Sequence, residues 1–91
     1  MAVTVKLPTQ LRDAVGGAAS TQVDGETVGE VLEALATAHP ETRDQLFGAD
    51  GALNRYVNVY LNDEDVRVLD GLETPVTDGD EVTILPAVAG G

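Results

Sequence analysis

Cysteine is absent from all 91 residues, which excludes a disulfide framework, a thiolate metal site, a cysteine-ligated iron–sulfur cluster and a thiol nucleophile. If the protein handles sulfur, its own side chains do not carry it. Cationic side chains are scarce: five Lys and Arg stand against sixteen Asp and Glu, for a formal net charge of -11. Such a charge repels nucleic acid and anionic membrane surfaces over long range, so a basic protein groove is the more natural counterpart. Lys6 is the only lysine, which equips the chain poorly for building polymers on itself. Phe47, Tyr56 and Tyr60 are the only aromatics, so any core must be mostly aliphatic. No apolar stretch reaches the length of a signal-peptide core or a membrane span, and a cytoplasmic address is expected.

What is present suffices for one folded domain: hydrophobic residues make up 43% of the chain, and its length supports a single modest core. Val3, Val5 and Leu7 alternate with Thr4 and Lys6, the period of a strand buried on one face. Pro8 ends it, residues 9–18 read as an irregular connection, and a short second strand follows around residues 20–23. Thr27 and Glu30 have capping-box spacing, each side chain placed to satisfy the other's backbone amide. Val28, Val31, Leu32 and Leu35 then fall on one helical face, and Pro40 predicts the helix end near Ala38 and His39. Residues 41–47 add a helical turn anchored by Leu46 and Phe47. Residues 55–61 form the strongest predicted strand, 62–65 a turn, and Val66, Arg67 and Val68 an answering strand. A loop with Gly71 and Pro75 follows, with Leu69, Leu72 and Val76 expected beneath the sheet. The last strand spans residues 81–85. One helix against one face of a sheet is an α+β arrangement.

Beyond that strand come Pro86, Ala87, Val88, Ala89, Gly90 and Gly91, uncharged in their side chains and ending in two glycines. Without Cβ atoms, a Gly-Gly end passes through narrow channels in extended conformations closed to other residues. The Gly91 carboxylate is therefore the candidate working group. An ordinary frayed terminus has the same appearance.

The order strand, strand, helix, strand, strand, strand, ending in Gly90-Gly91, resembles the ubiquitin-like β-grasp sulfur carriers of the MoaD/ThiS family. Residues 57–67 (VNVYLNDEDVR) and 78–91 (DGDEVTILPAVAGG) are similar to the branch of that family that serves cysteine biosynthesis. The resemblance implies a mixed sheet with one main helix on one face, a β-grasp domain over residues 1–85 and a flexible tail over 86–91. It also implies a co-substrate rather than an enzyme, binding no cofactor or metal itself. An E1-like adenylyltransferase would use ATP and Mg²⁺ to adenylate Gly91, and sulfide or a persulfide sulfur would displace AMP to leave a thiocarboxylate. A cysteine synthase dependent on pyridoxal phosphate would then accept the sulfur, and a zinc metalloprotease would release the cysteine. Residues 86–90 would be the arm that enters the partner's channel. The same tail could serve molybdopterin, thiamin, tRNA thiolation or a thio-containing secondary metabolite. A protein modifier joined to target lysines and a non-covalent adaptor are readings from other classes.

Other groups carry weaker signals. Asp78, Asp80 and Glu81 read first as a turn, and otherwise as an acidic rim beside the tail that docks on basic residues of the activating enzyme. Tyr56 and Tyr60 mark a docking patch or an ordinary half-buried face. His39 suits a helix C-terminus and has no paired nucleophile. The run 63–65 lacks the spacing of an EF-hand and reads as a solvated turn. Arg55 and Arg67 read as ordinary surface ion-pair partners.

Overall fold

The computed structural model describes residues 2–48, 53–54 and 57–86. Alternation decides the first element: β1 (Ala2–Lys6) turns Val3 and Val5 into the core, both fully buried, and Lys6 to the outside. It pairs antiparallel with β2 (Ser20–Asp24), from Ala2↔Asp24 to Lys6↔Ser20. The connection is not irregular throughout. It coils into a short helix, α1 (Thr9–Arg12), and a 3₁₀ turn, Asp13–Val15, that ends on Gly16 at φ 76. The left-handed region is open to glycine at little cost. Leu11 and Val15, four residues apart on one face, are the buried anchors. Tertiary burial holds these turns, because helices so short do not persist alone.

The predicted main helix is α2 (Val28–Ala38), with Val28, Val31, Leu32 and Leu35 fully buried. Fully burying a side chain such as Leu32 contributes about 1.5–3 kcal/mol. Its cap is half the expected box. The Glu30 N–H donates to Thr27 Oγ1 at 3.1 Å, but Glu30 Oε1 accepts from the Glu26 N–H at 3.3 Å, one residue earlier than the reciprocal bond requires. The helix ends at Ala38, and its cap residue His39 stands directly before Pro40: the His39 N–H still donates to the Leu35 carbonyl at 2.8 Å. A 3₁₀ turn, Pro40–Thr42, then leads into α3 (Arg43–Leu46). Leu46 is buried and Phe47 packs at the core margin, as expected.

β3 (Val57–Leu61) buries Val57, Val59 and Leu61. Asn62 and Asp63, both at positive φ (48 and 77), reverse the chain. The answering strand is shorter and earlier than predicted. β4 is Glu64–Asp65, and Val66–Val68 is a 3₁₀ turn. The reason is a side-chain bond: Asp65 Oδ1 accepts from the Arg67 N–H at 2.8 Å, offering the backbone a turn in place of a ladder. Val66 enters the core while Val68 is left 77% exposed. Leu69, expected beneath the sheet, is 38% exposed, whereas Val76 is buried and Leu72 packs against the core.

β5 (Glu81–Pro86) runs one residue beyond its predicted end. The sheet order is β2-β1-β5-β3-β4, with β5 parallel to β1 and antiparallel to β3. The last strand in sequence is therefore the middle one in space. α2 closes the sheet's inner face, where Val3, Val5, Val59, Val82 and Ile84 meet Val31, Leu32 and Leu35 in one cluster.

Candidate functional site

The Gly91 carboxylate and the arm residues Ala87, Val88, Ala89 and Gly90 lie outside the described residues, as does Tyr56. The strand that leads to them is described in full. β5 is paired on both edges: Thr4↔Glu81 to Lys6↔Thr83 on one side, Val57↔Pro86 to Leu61↔Val82 on the other. Val82 and Ile84 anchor it in the core. A strand held on two edges and one face fixes the point from which residues 87–91 depart.

Glu81, Thr83 and Leu85 alternate onto the outer face of β5. Leu85 is 44% exposed and sits across from Asn58, while half-buried Tyr60 sits across from Thr83 and Asp65. Tyr60, Asp63, Thr83 and Leu85 line one shallow groove. On the other flank of Leu85, a second groove is lined by Lys6, Pro8, Thr9 and Arg12.

The acidic residues expected to rim the tail stand at the start of β5, and Pro86 at its end. Asp78 and Asp80 belong to the turn before β5, whereas the tail follows it. The strand's six residues set that turn roughly 17 Å from Pro86. Nearness in sequence is no guide to nearness in space here, because an extended strand runs its full length between the turn and Pro86. These side chains are also engaged. Asp78 Oδ1 accepts from the Ala2 N–H at 3.0 Å, and Glu81 pairs with Lys6 at 3.4 Å. Asp80 accepts from the Thr77 N–H at 2.8 Å and from Asn62 Nδ2 at 3.0 Å. Those bonds, the Thr77 amide first, hold the Asp80 carboxyl below its ordinary 3.8. His39 accepts at its carbonyl from Thr42 Oγ1 at 2.8 Å. Among the described residues no group of three potential metal ligands comes together.

Two residues near the exit were not singled out as site residues. Arg67, expected in an ion pair, donates instead to Asn58 Oδ1 at 2.9 Å and to the carbonyls of Val57 at 2.8 Å and Asn54 at 3.2 Å. Arg12 Nε donates to the Leu7 carbonyl at 3.2 Å. No local pattern announces either role: Arg12 depends on α1 folding beneath the sheet's end, and Arg67 on the turn that Asp65 caps.

Comparison with known proteins decides the family: a match to the ThiS family extends over residues 5–91. The chain belongs to the ThiS family. Its full-length relatives include sulfur carrier protein CysO of Mycobacterium tuberculosis, 48% identical over 93 residues and covering 100% of each chain. A chain of the crystallised BexX/CysO complex of Amycolatopsis orientalis is similar in structure, with a TM-score of 0.89 at 48% identity over 98% of this chain and 99% of that one. Small archaeal modifier protein 1 of Haloferax volcanii is 41% identical over 70 residues, 76% of either chain. The five-stranded mixed sheet grasping α2 is thus the ubiquitin-like β-grasp, and this ThiS-family member is a small sulfur carrier rather than an enzyme. Among the described residues no helix is long and apolar enough to cross a membrane.

Proposed function

We propose that the protein carries sulfur as a thiocarboxylate on Gly91 and delivers it for cysteine biosynthesis. The observation that carries this reading is the full-length 48% identity to a carrier of the CysO type, in a chain that ends Gly90-Gly91. A carboxylate resists nucleophilic attack because its charge is delocalised over both oxygens. An E1-like enzyme with ATP and Mg²⁺ overcomes that: a Gly91 oxygen attacks the α-phosphorus and pyrophosphate leaves. Hydrosulfide, or a persulfide followed by reduction, attacks the acyl carbon, and AMP leaves with the bonding pair. The resulting thiocarboxylate sulfur adds to an unsaturated acceptor held by a cysteine synthase dependent on pyridoxal phosphate. An acyl shift from sulfur to nitrogen leaves cysteine in an amide, which a zinc metalloprotease hydrolyses, restoring the Gly91 carboxylate.

The chain's own contribution is positional. β5 presents the arm from a fixed exit, and the lack of cysteine leaves no internal thiol to capture the activated acyl group. The test is intact mass of untagged protein from its own cells, before and after thiol alkylation. One alkylated site, mapped to Gly91 with one oxygen replaced by sulfur, is the expected result. An unmodified mass after incubation with ATP, sulfide and extract of those cells would overturn the reading. The 41% identity to a small archaeal modifier supports a second reading, in which Gly91 is joined to lysines of target proteins. It would appear in the same extract as conjugates that survive denaturation.

A further inference from the structure

Cations in this chain are few, and their distribution over the fold is uneven. Among the described residues the ion pairs are Lys6 with Glu81 at 3.4 Å and Arg43 with Glu33 at 2.8 Å. Arg12 and Arg67 have no carboxylate partner there, although sixteen acidic residues were available to supply one. Their bonds are to main-chain carbonyls and one amide oxygen, which orient a guanidinium without neutralising it. Both stand at the exit end of β5. Because β1 and β5 are parallel, the chain leaving β1 brings α1 and Arg12 beside Leu85. On the opposite flank, Val57↔Pro86 and Asn58↔Leu85 bring Arg67 to the same end through its bonds to Val57 and Asn58. Leu85, 44% exposed, lies between the two. The acidic turn at Asp78 and Asp80 is at the far end of the strand.

We propose that Arg12 and Arg67, with Leu85 between them, form the docking collar by which the activating enzyme seats this carrier. The partner surface it fits is an apolar seat flanked by carboxylates at the mouth of the channel that takes residues 87–91. Charge complementarity argues for that occupant. Planar guanidinium groups match carboxylates in bidentate geometry, and groups already held by carbonyl acceptors lose little side-chain freedom on docking. The collar also serves an electrostatic need. A chain of net charge -11 must bring its terminal carboxylate to the polyanion ATP, and two cations without a carboxylate partner among the described residues, at the root of the arm, offset part of that repulsion.

The inference rests on the carrier reading, and ATP–pyrophosphate exchange by the purified activating enzyme of the same cells, with this chain as the varied substrate, separates the two. Arg12→Gln and Arg67→Gln are each expected to raise KM about three- to tenfold with little change in kcat, and wild-type KM is expected to rise with NaCl. Arg43→Gln removes the same charge from a distant ion pair and serves as the control, expected within about twofold of wild type. Arg67→Lys keeps the charge while losing the forked geometry, and should recover only part of the loss. Equal KM in all variants, an equal loss in Arg43→Gln, or failure of Arg67→Lys to improve on Arg67→Gln while Arg12→Gln is unaffected would each overturn the collar. If the wild-type chain supports no exchange at all, the carrier reading itself falls.

Discussion

Asp80 is a carboxylate spent on folding. Its two oxygens gather the Thr77 amide and the Asn62 side chain, and Asn62 Oδ1 in turn accepts from the Glu81 N–H at 3.0 Å, so the turn before β5 is cross-tied to the turn after β3. Its folded pKa is depressed, so its stabilisation is present above the unfolded value and is lost as pH falls through the folded one. Asp80→Ala should therefore lower Tm at pH 7, and the gap to wild type should narrow as pH falls through about 3.8 and below. Thermal melts of both proteins from pH 7 to pH 2.5 check this, and a constant gap would contradict it. Thr27 acts through one bond, to the Glu30 amide. Thr27→Ala should cost about 1 kcal/mol. For a domain of this size that is a fall in Tm of roughly 4–8 °C.

Among the elements, α2 is locked to the loop before β5 by close approach at Gly29. A Cβ there would lie 2.9 Å from the Leu72 carbonyl oxygen and 3.1 Å from Leu72 Cβ. Helix propensity alone predicts that Gly29→Ala gains about 1 kcal/mol. The clash with backbone reverses the sign, and a net loss of about 1–3 kcal/mol in urea unfolding is expected. A stabilised Gly29→Ala would mean that the Leu72 loop yields freely. The strands differ in a related way. β5 is paired on both edges, while β4 has two residues and one neighbour. Amide exchange should accordingly be slowest at Val82 and Ile84 and fast at Glu64 and Asp65, and comparable protection in β4 would show that the sheet opens only as a unit.

The whole molecule carries a charge of -11, and self-repulsion at that level opposes folding. Raising NaCl from about 20 mM to about 500 mM shortens the screening length from roughly 20 Å to roughly 4 Å and should raise Tm by several degrees. A Tm that fell with salt would mean that favourable ion pairs such as Arg43 with Glu33 outweigh the repulsion. Much of this fold was legible because its main elements carry their own periodicity. Val3 and Val5, the Val28 to Leu35 stripe, and Val57, Val59 and Leu61 each declare a buried face before any partner is known. Where reading failed, a contact distant in sequence overruled a local pattern. Val66, Arg67 and Val68 alternate like a strand, but the Asp65 carboxylate and the hold of Arg67 on Val57 and Asn54 turn them into 3₁₀. Residues 9–15 lack the length to predict a helix, yet Leu11 and Val15 find the core.

By itself the sequence determined which segments could bury a face and that no thiol chemistry resides in the side chains. Each of these is a property of neighbouring residues or of composition. Only the tertiary structure decided that β5 is the central strand, that the acidic turn lies at the end of it opposite Pro86, and that Arg12 and Arg67 flank that strand at its Leu85 end. Those are consequences of pairing residue 6 with residue 83 and residue 57 with residue 86, contacts between segments that no local pattern of residues encodes.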